Sequence, residues 1–273
     1  MDAKLQRRIQ RYGWDKAAAS YEGAWERQLA PAHRAVLDEA ELQPGERVLD
    51  VACGTGLVTF AAADAVARWG MVFGTDLSEQ MVEQGRARAR ERGCRHVWFE
   101  RADAEALHFP SGVFDAALCA LGLMYVPDAA AAVAEMARVL APGGRAVVAV
   151  WGPRERCGWA EIFPIVDARV KPEVCPLFFA LGTGDRLAAA FRGAGLTGVT
   201  TERVATRLEW ASAEDACGAA FVGGPVALAH SRFDEATRIA AYGEYLSSIE
   251  RFRVGEGYHV PGEFVIVSGR KTE

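Results

Sequence analysis

The sequence predicts an α/β protein built on a largely parallel sheet with helices on both faces. Three observations carry this expectation. Short apolar runs alternate with helical ones from residue 44 to residue 152, a rhythm that implies right-handed βαβ crossovers and a sheet covered on both sides. One of those runs, Val48-Leu49-Asp50-Val51-Ala52, feeds straight into the small-residue turn Cys53-Gly54-Thr55-Gly56 and then a helix. The chain has 273 residues, 51% of them apolar and 25% charged, enough to bury a large core without a metal or disulfide staple.

The elements follow in order. Tyr12, Trp14, Tyr21 and Trp25 precede Ala30–Ala40, which reads as an amphipathic helix with Pro31 in its first turn. Pro44-Gly45 punctuates the chain. Arg47–Ala52 reads as a strand, Leu57–Trp69 as a helix, and Met71–Asp76 as a strand. Ser78–Arg92 is the next helix, with Ser78 its candidate cap. His96–Ala102 and Val113–Leu121 are strands, Ala129–Leu140 is a helix stopped by Pro142-Gly143-Gly144, and Arg145–Trp151 is the fifth strand. Beyond Trp151 the rhythm changes to a proline-bearing, aromatic segment over 153–183. A helix at Asp185–Gly193 and a strand at Val199–Trp210 restore the alternation. A helical stretch over 213–253 breaks at Gly223-Gly224-Pro225, and Phe264–Ser268 closes the chain as a short β run. There is no internal repeat. One domain over 1–273 is expected, with a helical cap at 1–43, a ligand-binding core at 44–152 and cover segments at 153–183 and 211–258.

Composition narrows the partners. With 31 basic and 36 acidic residues the formal charge is −5, which argues against a protein that coats nucleic acid, where phosphate neutralisation dominates affinity. The arginines of Arg86–Arg95 are interspersed with Ala and Glu91, a solvated helix face and not an RNA track. The six cysteines show no C-x-x-C spacing, so no metal site is expected. No apolar run reaches the ~20 residues of a membrane span, and the first residues lack an apolar signal core. A cytoplasmic protein with free thiols is expected. The sequence leaves the oligomeric state open, a homodimer included.

The chemistry concentrates at the ends of the predicted strands. Ligands of open α/β sheets bind at the carboxyl ends of the strands, and glycines let them approach the backbone. Gly54 and Gly56 match the first two glycines of a dinucleotide fingerprint, but Thr59 stands at the third. Asp50 would repel a pyrophosphate and suits a cationic ligand. Asp76, at the end of the second strand, is placed to accept ribose hydroxyls. Asp103-Ala104, after the third, can offer a carboxylate to an exocyclic amine and a backbone N–H to a ring nitrogen.

Five motifs in order resemble those of the class I S-adenosylmethionine-dependent methyltransferases, nearest to the ubiquinone/menaquinone C-methyltransferase-like group. They are Asp50-Val51-Ala52-Cys53-Gly54-Thr55-Gly56; Gly74-Thr75-Asp76-Leu77-Ser78 with Met81; Asp103-Ala104-Glu105-Ala106-Leu107 with Phe109-Pro110; Phe114-Asp115-Ala116; and Arg138-Val139-Leu140-Ala141-Pro142-Gly143-Gly144-Arg145. The resemblance covers 44–152. It implies a Rossmann-like seven-stranded, mostly parallel sheet whose antiparallel last strand lies between the fifth and sixth. It implies S-adenosyl-L-methionine as cofactor. Asp50, Ala52, Gly54, Thr55 and Gly56 would face its methionine part, with Ala120 and Leu121 along the tail. Asp76 would hold the ribose, Leu77 and Met81 would pack the adenine, and Asp103 and Ala104 would read its edge. Tyr21 would fold over the cofactor from the N-terminal helix.

The implied reaction is methyl transfer to an O, N or C atom of a small aromatic or hydrophobic metabolite. Where the quinone-methylating members carry an Arg-Asn pair after Gly122-Leu123, this chain has Met124-Tyr125, which points to a different acceptor. Of the five histidines and nearby phenols, His230 and Tyr125 are the candidates for a base. A tRNA or protein methyltransferase is the alternative that the net charge opposes. A nicotinamide-dependent oxidoreductase is the one that the missing third glycine opposes.

Overall fold

The computed structural model describes residues 2–170 and 178–272. Cys175 and part of the 153–183 segment lie outside the described residues. Five parallel strands form one half of the sheet: β1 (Arg47–Val51), β2 (Met71–Asp76), β3 (Val97–Arg101), β4 (Phe114–Ala120) and β5 (Leu140–Trp151). Long strands β6 (Leu196–Trp210) and β8 (Gly257–Lys271) complete the order β3-β2-β1-β4-β5-β8-β6, and the two-residue β7 (Arg253–Val254) pairs with β8. As the resemblance implies, β8 is antiparallel to both its neighbours and lies between β5 and β6. The order runs outward from β1 in one direction and from β4 in the other. Right-handed crossovers then place successive helices on opposite faces and open a crevice where β1 meets β4.

Glycine and proline misplace three boundaries in the sequence reading. Pro142-Gly143-Gly144 does not end the helix before a new strand. It is absorbed as an irregularity in the β4–β5 ladder, where the register steps from Phe114↔Leu140 to Ala116↔Arg145. Gly198 likewise sits in a register shift between Thr197 and Thr200, so β6 starts at Leu196 and not Val199. Around the predicted Phe264–Ser268 run, β8 continues in both directions because β6 pairs with it from Leu196↔Lys271 to Trp210↔Tyr258.

The largest departure is at the N-terminus. A single helix, α1 (Ala3–Ala40), runs through Pro31, which the sequence places in a first turn. Proline removes one helical hydrogen bond. The buried face that continues across it, Trp25, Leu29, Ala32, Val36 and Ala40, offsets that loss by packing on the core. The far end of α1 is pinned by Arg145, only 7% exposed. Its guanidinium donates to the carbonyls of Ala40 and Glu41 and grips Glu46 at 2.7 and 2.8 Å. Burial opposes ionisation of Glu46, yet the Arg145 guanidinium holds its carboxyl below the ordinary range.

The remaining helices are α2 (Leu57–Val66), α3 (Glu79–Glu91), α4 (Ala129–Val139), α5 (Ile162–Asp167), α6 (Arg186–Gly193), α7 (Ala213–Cys217), α8 (Ala227–His230) and α9 (Glu235–Ile249). Ser78 caps α3 as expected, its hydroxyl accepting from the Met81 amide at 3.2 Å. Among the described residues no helix is long and apolar enough to cross a membrane.

Candidate cofactor and acceptor site

A cleft of about 780 Å³, mouth included, opens at the carboxyl ends of β1, β2, β3 and β4. Its floor is backbone under strain. Ala52 (φ 55°) and Leu121 (φ 64°), the residues just past β1 and β4, both hold left-handed conformations that disfavour a side chain. Gly122 follows, and a Cβ there would collide with that of Ala52. The Ala52 methyl group is thus packed directly against the Gly122 backbone at the crevice.

Ten of the residues expected at the cofactor line this cleft: Tyr21, Ala52, Gly54, Asp76, Leu77 and Met81, with Asp103, Ala104, Ala120 and Leu121. Asp50, Thr55 and Gly56 do not. Asp50 is 1% exposed and lines a smaller adjoining cavity with Ala52, Gly54, Ala120 and His33. The buried Thr59 hydroxyl donates to its Oδ2 at 2.6 Å, so the residue that breaks the dinucleotide fingerprint serves the carboxylate. The buried Thr55 donates to Glu22 of α1. Gly56 (φ 99°) starts α2, and a Cβ there would press on the rings of Phe99 and Phe60 at 2.7 and 2.9 Å; its left-handed backbone and this close packing both require glycine.

Burial governs the charges. It pushes Asp50 up to about 7 and Asp76 to about 6, each opposed by the hydrogen bonds it accepts. Asp76 accepts the Gly54 amide at 2.9 Å and the Ser78 amide at 2.8 Å. Asp103 accepts the Glu105 amide at 3.0 Å and meets Arg7 Nε at 2.9 Å. Burial also raises the Tyr21 phenol, which stays protonated, and lowers His33 to about 4, which leaves its imidazole neutral.

The sequence missed Arg7, Gln10 and Trp14, all on α1 and all in the cleft wall. The signal was present: positions 7, 10, 14, 21 and 25 repeat at helical spacing along one face, legible once α1 is taken as continuous. His230, a candidate base, does not line the cleft. It sits on the short α8, where its Nε2 is 3.1 Å from the Tyr242 hydroxyl and its ring contacts Phe221 and Phe233. Burial lowers its pKa, so it is a neutral, packed ring. Tyr125 does line the cleft.

A second cavity of about 360 Å³, mouth included, shares the walls Trp14, Tyr21, Leu121 and Tyr125 with the cleft. Its far side is Trp25, Trp151, Trp159, Phe178, Gly224 and Pro225, drawn from α1, β5 and both cover segments. Among the described residues no cluster of His, Cys, Asp or Glu could hold a metal ion.

Comparison with known proteins agrees with this geometry. A family described as a methyltransferase domain matches residues 48–144. Nocamycin O-methyltransferase of Saccharothrix syringae is 33% identical over 75% of this chain and 78% of its own length. A ubiquinone/menaquinone biosynthesis C-methyltransferase of Shewanella piezotolerans is 34% identical over 52% of this chain and 57% of its own. The crystal structure of the Bacillus YcgJ protein superposes with a TM-score of 0.62 at 21% identity, over 89% of this chain and 99% of that one, a likeness of fold. The chain belongs to the class I S-adenosylmethionine-dependent methyltransferases, and S-adenosylmethionine is its cofactor.

Proposed function

We propose that this enzyme methylates an O, N or C atom of a small aromatic or hydrophobic metabolite held in the second cavity. The observation that carries the proposal is the shared wall: a cavity lined almost wholly by aromatic and aliphatic side chains opens beside the cofactor cleft at Trp14, Tyr21, Leu121 and Tyr125. Such a lining suits a flat apolar ligand. Trp159 and Phe178 of the first cover segment and Gly224 and Pro225 of the second stand on its far side, as a lid over the acceptor in a single domain.

The residues of the cleft fit the cofactor. A cation is welcome near Asp76 in the cleft wall and Asp50 in the adjoining cavity, two buried carboxylates whose ionisation is otherwise suppressed. Asp76, at the end of β2, retains lone pairs for ribose hydroxyls beyond the two amides it accepts. Leu77 and Met81 offer apolar surface to the adenine, and Asp103-Ala104 its edge contacts. When bound, S-adenosylmethionine would supply an electrophilic methyl carbon, open to in-line attack by an acceptor electron pair with the sulfur of S-adenosylhomocysteine leaving on the opposite side with the C–S bonding pair.

The protein's own contribution is alignment and exclusion of water, with reacting atoms held about 3–3.5 Å apart. Trp14, Tyr21 and Tyr125 form the junction where donor and acceptor meet; the Trp14 ring stands edge-on to Tyr21 at 5.7 Å and to Tyr125 at 5.1 Å. Tyr21 keeps its proton, so it orients as a hydrogen-bond donor and does not act as base. The acceptor is a small molecule and not a nucleic acid.

Calorimetric titration with S-adenosylhomocysteine, with NAD as control, tests the cofactor assignment. Micromolar binding of the first and none of the second is expected. A preference for NAD would overturn the reading.

A further inference from the structure

Three glutamines on α1 are buried, and the protein satisfies two of them. Gln6, Gln10 and Gln28 are 4%, 6% and 7% exposed. The Gln28 carboxamide exchanges two hydrogen bonds with the Glu209 backbone, at 2.5 and 2.8 Å. Gln6 Nε2 donates to the Tyr125 carbonyl at 3.3 Å. The Gln10 carboxamide has no such partner among the described residues. Burying an amide without a hydrogen bond is unfavourable, and buried polar side chains ordinarily find a partner. Methionine would pack the same helical position without that cost.

Gln10 lines the cofactor cleft and neither of the two cavities that adjoin it. Its polar atoms are not sealed off as the indole nitrogens of Trp25, Trp159 and Trp210 are, and the cleft is the opening beside them. Its place along α1 says what part of the ligand it meets. Arg7, one turn earlier, is held 2.9 Å from Asp103 and 2.6 Å from Glu105. Trp14, one turn later, stands edge-on to Tyr125 at 5.1 Å. Residues three and four apart share a helix face, so Gln10 lies next to the Asp103 end of the cleft and short of the acceptor junction.

Asp103 and the Ala104 N–H take the adenine amine and the ring nitrogen beside it, and Asp76 takes the ribose. The edge of the base left over pairs the second N–H of the amine with the acceptor N7. A carboxamide matches that pair with one acceptor and one donor, and Gln10 carries the one carboxamide among the described residues of the cleft wall. We propose that Gln10 reads the N6–N7 edge of the cofactor's adenine, Oε1 accepting from the amine and Nε2 donating to N7, and so adds α1 to the groups that select the base. This rests on the reading of the cleft as the nucleoside site with adenine at Asp103-Ala104.

S-adenosylhomocysteine and its 7-deaza and 3-deaza analogues are matched probes, each analogue exchanging one ring nitrogen for CH. In calorimetric titration the parent protein should bind the 7-deaza analogue about five- to tenfold more weakly than S-adenosylhomocysteine and the 3-deaza analogue as well as S-adenosylhomocysteine. Gln10→Met should weaken S-adenosylhomocysteine by a similar factor and no longer tell it from the 7-deaza analogue. Its cofactor-free form should melt no lower than the parent, because an unpaired buried amide is gone. Equal affinity of the parent for S-adenosylhomocysteine and the 7-deaza analogue would overturn the inference without any variant. A penalty on the 3-deaza analogue in its place would overturn it in favour of the ribose-side edge. A variant that weakens S-adenosylhomocysteine and the 7-deaza analogue equally would show that Gln10 only packs α1. The underlying placement fails separately: S-inosylhomocysteine, with a ring carbonyl in place of the amine, binding the parent as tightly as S-adenosylhomocysteine would show that the base is not at Asp103.

Discussion

Asp76 accepts the Gly54 amide at 2.9 Å through Oδ2, so the turn after β1 is held by the carboxylate at the end of β2. Oδ1 takes the Ser78 amide at 2.8 Å. The residue expected to bind ribose is therefore also a brace between two loops. Asp76→Ala should weaken S-adenosylhomocysteine by about 2–3 kcal/mol, as for hydrogen bonds to a charged group, and lower stability by about 1–3 kcal/mol through the orphaned amides. Calorimetry and urea unfolding read the two effects apart. Full affinity in the variant would show that the ribose lies elsewhere.

Burial raises Asp50 to about 7, and the sign of its effect on stability follows. The unfolded chain releases that proton near pH 4, whereas the folded protein keeps it to higher pH. Stability of the cofactor-free protein therefore declines as pH rises from about 4 to 7. Asp50→Asn removes this penalty and can still accept from Thr59. At pH 8 it should melt higher than the parent, by about 2–4 °C for each kcal/mol regained, and at pH 4 the two should coincide. Its affinity for S-adenosylmethionine should fall at pH 8. Parallel melting curves at both pH values would refute the burial argument.

The strands were legible because their signals are local. Val48–Val51, interrupted only by Asp50, and Ala116–Cys119 are apolar runs buried on both faces, and Asp76, Asp103 and Leu121 follow from where the second, third and fourth strands stop. What escaped depended on the partner of a residue. Thr59 reads as a broken glycine motif until Asp50 is beside it. Arg7 reads as a surface charge until Asp103 and Glu105 face it at 2.9 and 2.6 Å. Pro31 reads as a helix start until the buried stripe is followed across it. His230 is a candidate by residue type and by its place in the second cover segment, and nothing in the chain around it signals the Tyr242 contact that packs it elsewhere.

Gly122 and Gly243 should respond oppositely to alanine. At Gly122 a Cβ would collide with Ala52 and approach Cys119 Sγ at 3.0 Å. Gly122→Ala must part the ends of β1 and β4, lowering stability by about 1–3 kcal/mol and weakening S-adenosylhomocysteine, because Ala52 and Leu121 floor the cleft. Gly243, inside the exposed face of α9, has nothing within 4 Å. There alanine should stabilise by about 0.5–1 kcal/mol and leave ligand binding alone. Thermal unfolding with and without the ligand checks both.

The two ends of α1 should separate binding from folding. Near the cleft, Glu22 engages Thr55 and Arg88, and Asp15 accepts the Ser78 hydroxyl at 2.6 Å. These contacts hold the wall formed by Trp14 and Tyr21 over the cleft. Glu22→Ala should speed S-adenosylhomocysteine release about tenfold, the equivalent of one charged hydrogen bond, seen by stopped-flow fluorescence. At the other end, Arg145→Met strands Glu46 and the carbonyls of Ala40 and Glu41. It should cost about 3–5 kcal/mol, as for breaking a buried pair, while ligand release from the folded protein stays at the parent rate. Because Arg145 keeps Glu46 below its ordinary range, its contribution is present above the unfolded pKa and disappears as pH falls through the folded one. The stability gap between Arg145→Met and the parent should therefore narrow on acidification below about pH 4. A gap unchanged from pH 7 to pH 3 would mean that packing, and not the ion pair, anchors the helix.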